Sequence, residues 1–147
     1  MESYSDSNIL TLALGSSVGG TVAADGTVVV DNNSRNVYST INKSTTDNAT
    51  GTVDVATKRF GNTGSMAVVV TGSDSVAAGA GVSVNTMTGT AKTKLSGNNL
   101  TVKNLNASSI SDQDITNIGV SGSGAGIFGL SGSVSVNTLK NDTITEV

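Results

Sequence analysis

The chain contains neither histidine nor cysteine. Ser-His-Asp and Cys-His nucleophilic mechanisms, thiolate metal sites and the usual zinc sites are therefore ruled out. Nor does any Ser-x-x-Lys occur, which removes the commonest Ser-Lys nucleophile pattern. What remains is carboxylate chemistry. Asp112 and Asp114 are two positions apart, so on a strand they would share a face at about 7 Å, a separation compatible with glycoside hydrolysis. Against this, Ser108 to Asp114 has the composition of a turn, and the chain has only two arginines, Arg35 and Arg59. No catalytic residue is assigned on this pattern. A weak cation site at the Asp pair is the competing reading, but the glycine-aspartate nonapeptides of calcium-binding β-rolls are absent. Neither a metal nor a cofactor is expected.

Gly124-Ala-Gly126-Ile-Phe-Gly129 matches the dinucleotide fingerprint G-x-G-x-x-G. That fingerprint needs a helix opening at its end, so that backbone amides face a pyrophosphate. Here Leu130 to Val136 follows, alternating apolar and small residues like a strand, so the glycines read as a tight corner. Asn-x-Ser/Thr triplets at Asn32, Asn42, Asn48, Asn99, Asn106 and Asn141 are the accidental product of a chain rich in Asn and Thr. The Thr row at 86, 88 and 90 is not sustained around the chain, as an ice-binding face would require.

The elements that would carry these groups are β-strands. Ser, Thr, Asn and Gly make up 74 of 147 residues, proline is absent, and the apolar residues are chiefly Val, Leu and Ile. These alternate with small polar residues, which suits a pleated surface with one buried face. Absence of proline leaves every ladder donor in place. Net charge is −3, with eight dispersed Lys and Arg. A phosphate backbone calls for a basic stripe with stacking aromatics, so nucleic acid is not an expected partner. No apolar run approaches the roughly 20 residues of a membrane-spanning helix.

Self-similarity is the strongest signal. Segments 30–41, 84–95 and 136–147 align without a gap, each opening on Val followed by Asp or Asn and closing on an aliphatic residue; their spacings are 54 and 52. Ser-Val-Asn-Thr recurs at 83–86 and 135–138. Within this period, apolar alternations are centred on Val68, Val84, Val102, Val120 and Val136, so they recur at intervals of 16, 18, 18 and 16. That spacing predicts coils of about 17 residues, about three to each long repeat, in the manner of a solenoid. The marked valines would stack inside, with Ser, Thr and Asn outside. The whole chain, 1–147, reads as one all-β solenoid domain with repeats at about 1–41 (eroded), 42–95 and 96–147. Phe60 and Phe128 are expected in the core or at an end cap. Lys92, Lys94, Lys103 and Lys140 are expected on lateral faces, and the polar stretch from Asp31 to Asp54, off the coil period, reads as a binding insertion.

The passages Ala77 to Thr86 and Gly122 to Thr138, with the Asn99-Leu-Thr-Val-Lys103 strand ahead of the second, resemble the repeats of large filamentous haemagglutinin- and leukotoxin-like adhesins of Gram-negative anaerobes. The likeness covers residues 50 to 147 and is degraded before that, where Gly15 to Gly20 and Val28 to Ile41 resemble an eroded first copy. What the resemblance implies is a right-handed parallel β-helix, exported through an outer-membrane β-barrel and displayed at the cell surface as a stalk or adhesive fibre. It carries no catalytic residue over to this chain. The expected partners are neighbouring repeats of a longer chain or further copies stacked head to tail, and host glycans or surface proteins. The N-terminus lacks the basic start and long apolar run of a signal peptide, so the segment is expected to be an internal piece. A self-assembling extracellular filament subunit is the alternative function, with a β-helical carbohydrate-active enzyme or tailspike fragment behind it.

Overall fold

The computed structural model describes residues 1–42, 45–97 and 99–147. Among them there is no helix, and seven strands take up nearly everything: β1 (Glu2–Gly19), β2 (Val22–Ser34), β3 (Val37–Asn42), β4 (Thr45–Ser73), β5 (Val76–Ser96), β6 (Asn99–Ala125) and β7 (Phe128–Glu146). Two parallel sheets result. One runs in the order β1-β4-β6; in the other, β2 and β3 pair with β5, and β5 pairs with β7.

The registers repeat the sequence period. Ile9 lies opposite Thr63 and Val28 opposite Val82, a step of 54 in both cases. From the middle to the last turn the step is 52, as in Val68 with Val120 and Val84 with Val136. Along β4 and β6 the step begins at 54, from Thr45 to Asn99, and becomes 52 by Thr52 and Asn104; two register shifts between Thr46 and Thr52 absorb the difference. Parallel neighbours need a long crossover. Here each crossover is itself a strand in the other sheet.

Each turn is an arch. The chain runs out along one sheet, bends near 20–21, 74–75 or 126–127, and returns along the other sheet. The two legs meet through side chains while their backbone bonds go to the turns above and below. Thr11 Oγ1 donates to Asp31 (2.7 Å), the Ser65 and Ser83 hydroxyls pair, the Thr57 and Thr93 hydroxyls lie 2.9 Å apart, and Asn117 donates to Asn137 (3.0 Å). At the bend the backbone ladder continues, with the amides of Ile127 and Phe128 both donating to the Ser75 carbonyl. A Cβ at Gly126 would collide with the Asp74 carbonyl, so the corner reading of the glycine run is what the fold requires there.

Two expectations are corrected. The ladders step by 54 and then by 52, and no coil of the shorter period appears among the described strands. The alternations at Val68 and Val84 are the two facing legs of one arch, which is why their spacing is a fraction of the true period. Nor are four of the five marked valines internal. In the middle turn the buried positions are odd-numbered: Val55, Thr57, Arg59, Thr63, Ser65, Ala67, Val69 and Thr71 on β4 face Ala77, Ser83, Asn85, Met87, Ala91, Thr93 and Leu95 on β5. Val68 and Val84 stand outward, half-buried, and Val120 and Val136 are 48% and 47% exposed. Small side chains fill the space between the legs because the hydroxyls bond across it: Ser39 donates to the Ala56 carbonyl (2.8 Å), Thr57 to that of Lys92 (3.0 Å) and Thr93 to that of Ser108 (2.6 Å). Such satisfied groups avoid the desolvation cost of a buried polar atom.

Smaller corrections follow from the same register. Phe60 is half-buried on the outer face and Phe128 is exposed, so neither is core. Residues 31–34 and 37–42 belong to β2 and β3, and β4 begins at Thr45, so most of the described polar stretch is strand, and its departure from the period is confined to the two register shifts between Thr46 and Thr52; residues 43 and 44 lie outside the described residues. Lys92 and Lys94 do stand on a lateral face, where both pair with Glu146 at 2.7 and 3.4 Å.

Candidate functional site

The register gathers chemistry-bearing residues on the outer face of the first sheet. Asp6 lies opposite Phe60, which lies opposite Asp112; Asn8 lies opposite Asn62, which lies opposite Asp114. All six are even-numbered and so face outward. With Tyr4 they line a cleft of about 430 Å³. The aromatic part is Tyr4 and Phe60, with ring centroids 5.7 Å apart and planes tilted by 40°. Tyr4 is 61% exposed, so much of its side chain is in contact with solvent. The polar part is the amide pair Asn62 to Asn8, with a 3.0 Å bond from Nδ2 to Oδ1, and the three carboxylates.

Asp112 and Asp114 are thus in strand β6 and on one face, as a strand placement requires; the turn reading of Ser108 to Asp114 does not hold. Phe60 and Asn62 stand beside them on the neighbouring strand, and both carboxylates are exposed. No arginine guanidinium lines the cleft: Arg35 reaches the Asp6 carbonyl (2.7 Å) and Arg59 points inward. Among the described residues there is no group of three or more Asp, Glu, His or Cys that could hold a metal ion. An open aromatic ring beside planar amides and carboxylates offers a stacking surface next to acceptors and donors, the complement of a sugar's apolar face and its hydroxyls.

A second concavity lies on the outer face of the other sheet. It is an open trough of about 650 Å³ with apolar walls, including Ala24, Ala78, Ala80, Val82, Leu130 and Val134.

One unusual side chain was not signalled as structural by the sequence. Arg59 is only 1% exposed; it donates to the Thr88 carbonyl (2.6 Å) and to Asn141 Oδ1 (3.0 Å). The ion pairs among the described residues are those of Lys58, Lys92 and Lys94 with Glu2 and Glu146, so among these residues Arg59 has carbonyl acceptors and no carboxylate. Burial, and then the nearby charge of Arg35, pull its pKa down. Room for the guanidinium comes from Gly89, at a φ of +148°, where a Cβ would collide with the Arg35 carbonyl and come within 2.8 Å of Arg59 Cζ. The available signal was phase: Arg59 occupies an odd position in the run from Val55 to Val69.

No protein-family model, curated protein or solved structure matches this chain.

Proposed function

We propose that the chain is a structural and adhesive segment of a filamentous bacterial surface protein, without enzymatic activity, in which each long repeat forms one turn of a right-handed parallel β-solenoid. The observation that carries this is the parallel register, which holds along both sheets apart from two shifts between Thr46 and Thr52. Outward columns such as Leu12, Met66, Ile118 and Val30, Val84, Val136 run along the stack, so length is gained by adding turns, with each turn stabilised by its neighbours. Right-handedness is the hand that parallel crossovers take almost universally. The sequence resemblance to adhesin repeats supplies the cell-surface setting. The Tyr4/Phe60 cleft supplies a place for a host glycan, whose apolar ring face would stack on Tyr4 while its hydroxyls meet Asn8, Asn62, Asp112 and Asp114.

The test has two readouts on one sample. Far-ultraviolet circular dichroism should give a β spectrum that melts cooperatively, and a coil-like spectrum would overturn the rod. Binding of the chain to a glycan array should be lost in a Tyr4→Ala, Asn62→Ala variant that keeps the same spectrum. An array that stays blank, or binding unchanged in the variant, would leave the rod standing and remove its adhesive role at this cleft.

A further inference from the structure

We infer that the β6/β7 end of one chain receives the β1/β2/β3 end of a second copy in register, with Asp6 and Asn8 of the second copy lying against Asp112 and Asp114 of the first. This rests on the solenoid reading above and names a partner for the outer strands of its two sheets. Strands β1 and β6 are the outer members of the first sheet, and β2 with β3, and β7, those of the second. Each is a long row of backbone donors and acceptors, and such an edge is a template for pairing.

Side-chain chemistry selects the occupant. The first turn precedes the second by a step of 54, and the second precedes the third by 52, so a second copy continues most of the columns from Ser108 to Glu146. Leu12 and Leu14 of the added copy come against Ile118 and Val120, and Val28 and Val30 against Val134 and Val136. Between the legs, Asn137 comes against Asp31, whose buried Oδ2 has no hydrogen-bond partner among the described residues. Leu139 faces the open end and is 51% exposed, whereas Met87, its register partner one turn earlier, is fully covered. The end face is roughly 60 Å by 10 Å, or about 1,200 Å² counted over both partners, enough for a specific interface.

One contact opposes the joint. Asp112 comes directly against Asp6 of the added copy, and like charges facing one another across strands are unfavourable. That pair fixes the register experimentally, because no other alignment puts those two carboxylates together.

Cross-linking tests this in a chain that has no cysteine of its own. In an Asn8→Cys, Asp114→Cys variant the two thiols lie two ladder steps apart within a molecule, about 10 Å, beyond the reach of a disulfide. Across the proposed joint they are one step apart, about 4.8 Å. Mild oxidation should therefore give a ladder of disulfide-linked multimers on a non-reducing gel, while Asn8→Cys alone stays monomeric. Adding Asp112→Lys should bring the multimers in at a concentration lower by roughly two- to fivefold. A folded double variant that remains monomeric overturns this inference and leaves the solenoid intact. Disulfide-linked dimers from Asn8→Cys alone would show an association other than the end-to-end joint and overturn its register. A coil-like dichroism spectrum would overturn the solenoid itself, and this joint with it.

Discussion

The string Ser-Val-Asn-Thr occurs once in the middle turn, at 83–86, and once in the last, at 135–138, in the same register columns. In the middle turn Ser83 and Asn85 are completely buried, whereas in the last turn Ser135 and Asn137 are exposed. Identical residues in the same kind of strand thus differ in environment through one circumstance alone: β5 has a turn on each side and β7 on one. Burial in this fold is conferred by stacking and not by the local sequence. Stability should accordingly be concentrated in the middle turn, and substitutions in matching columns of the two turns should separate widely.

The largest effect is expected where the middle turn has no spare room. Gly89→Ala would drive a Cβ into the Arg35 carbonyl and against the Arg59 guanidinium, at a φ that L side chains rarely adopt, so a loss of about 3 kcal/mol or more is expected in urea unfolding. Its register partner in the last turn is Asn141, where Asn141→Ala deletes only an acceptor of Arg59; about 1 kcal/mol is expected. Equal losses at the two positions would break the comparison. Next comes the Met87 and Leu139 column. Met87→Ala should cost about 2–4 kcal/mol, the usual range for a covered methionine. Leu139→Ala should cost about 1 kcal/mol or less, because half of that side chain is already in water. A larger loss at Leu139, growing with protein concentration, would itself report a copy seated on the last turn.

The smallest effect is electrostatic and joins the two turns. Glu146 accepts a hydrogen bond from Lys92, with Lys94 also close by; the Lys92 bond is the main cause of a carboxyl pKa below its ordinary 4.5, against a smaller opposing effect of desolvation. A carboxyl with a depressed folded pKa adds stability that is present above the ordinary value and lost as pH falls through the folded one. The wild-type melting temperature should therefore fall slightly more than that of Glu146→Gln between about pH 6 and pH 3. Parallel pH profiles would mean that this exposed contact does not couple the turns.

Much of the architecture was legible in the sequence. The spacings of 54 and 52 are the ladder registers, and the alternation around Val82, Val84 and Val134, Val136 is strand. The side of the sheet was not legible. Alternation places residues on two faces without saying which is inside, and the ordinary preference puts valine in the core. Here the legs of the middle arch are lined largely with Ala, Ser and Thr, several of whose hydroxyls bond across the gap, and most of the valines marked by the alternation are left outside. The subdivision into shorter coils failed for a related reason: both legs of an arch carry similar apolar patches, so one turn shows more than one. The cleft was half legible. Asp112 and Asp114 stood out by spacing, but Tyr4, Asp6, Asn8, Phe60 and Asn62 join them only once the register is applied, since positions 6, 60 and 112 have nothing in common until the two long spacings are read as one lateral step each.

The two register shifts between Thr46 and Thr52 set a rule on how such a chain can change length. Side chains alternate with a period of two, so a turn that gains or loses an even number of residues returns every odd position to the interior, as the passage from 54 to 52 does. A change by a single position would exchange inside for outside along the whole remaining stack, burying Val120 and Val136 and expelling the hydroxyls. Repeats in this fold can therefore drift in length only in steps that preserve parity.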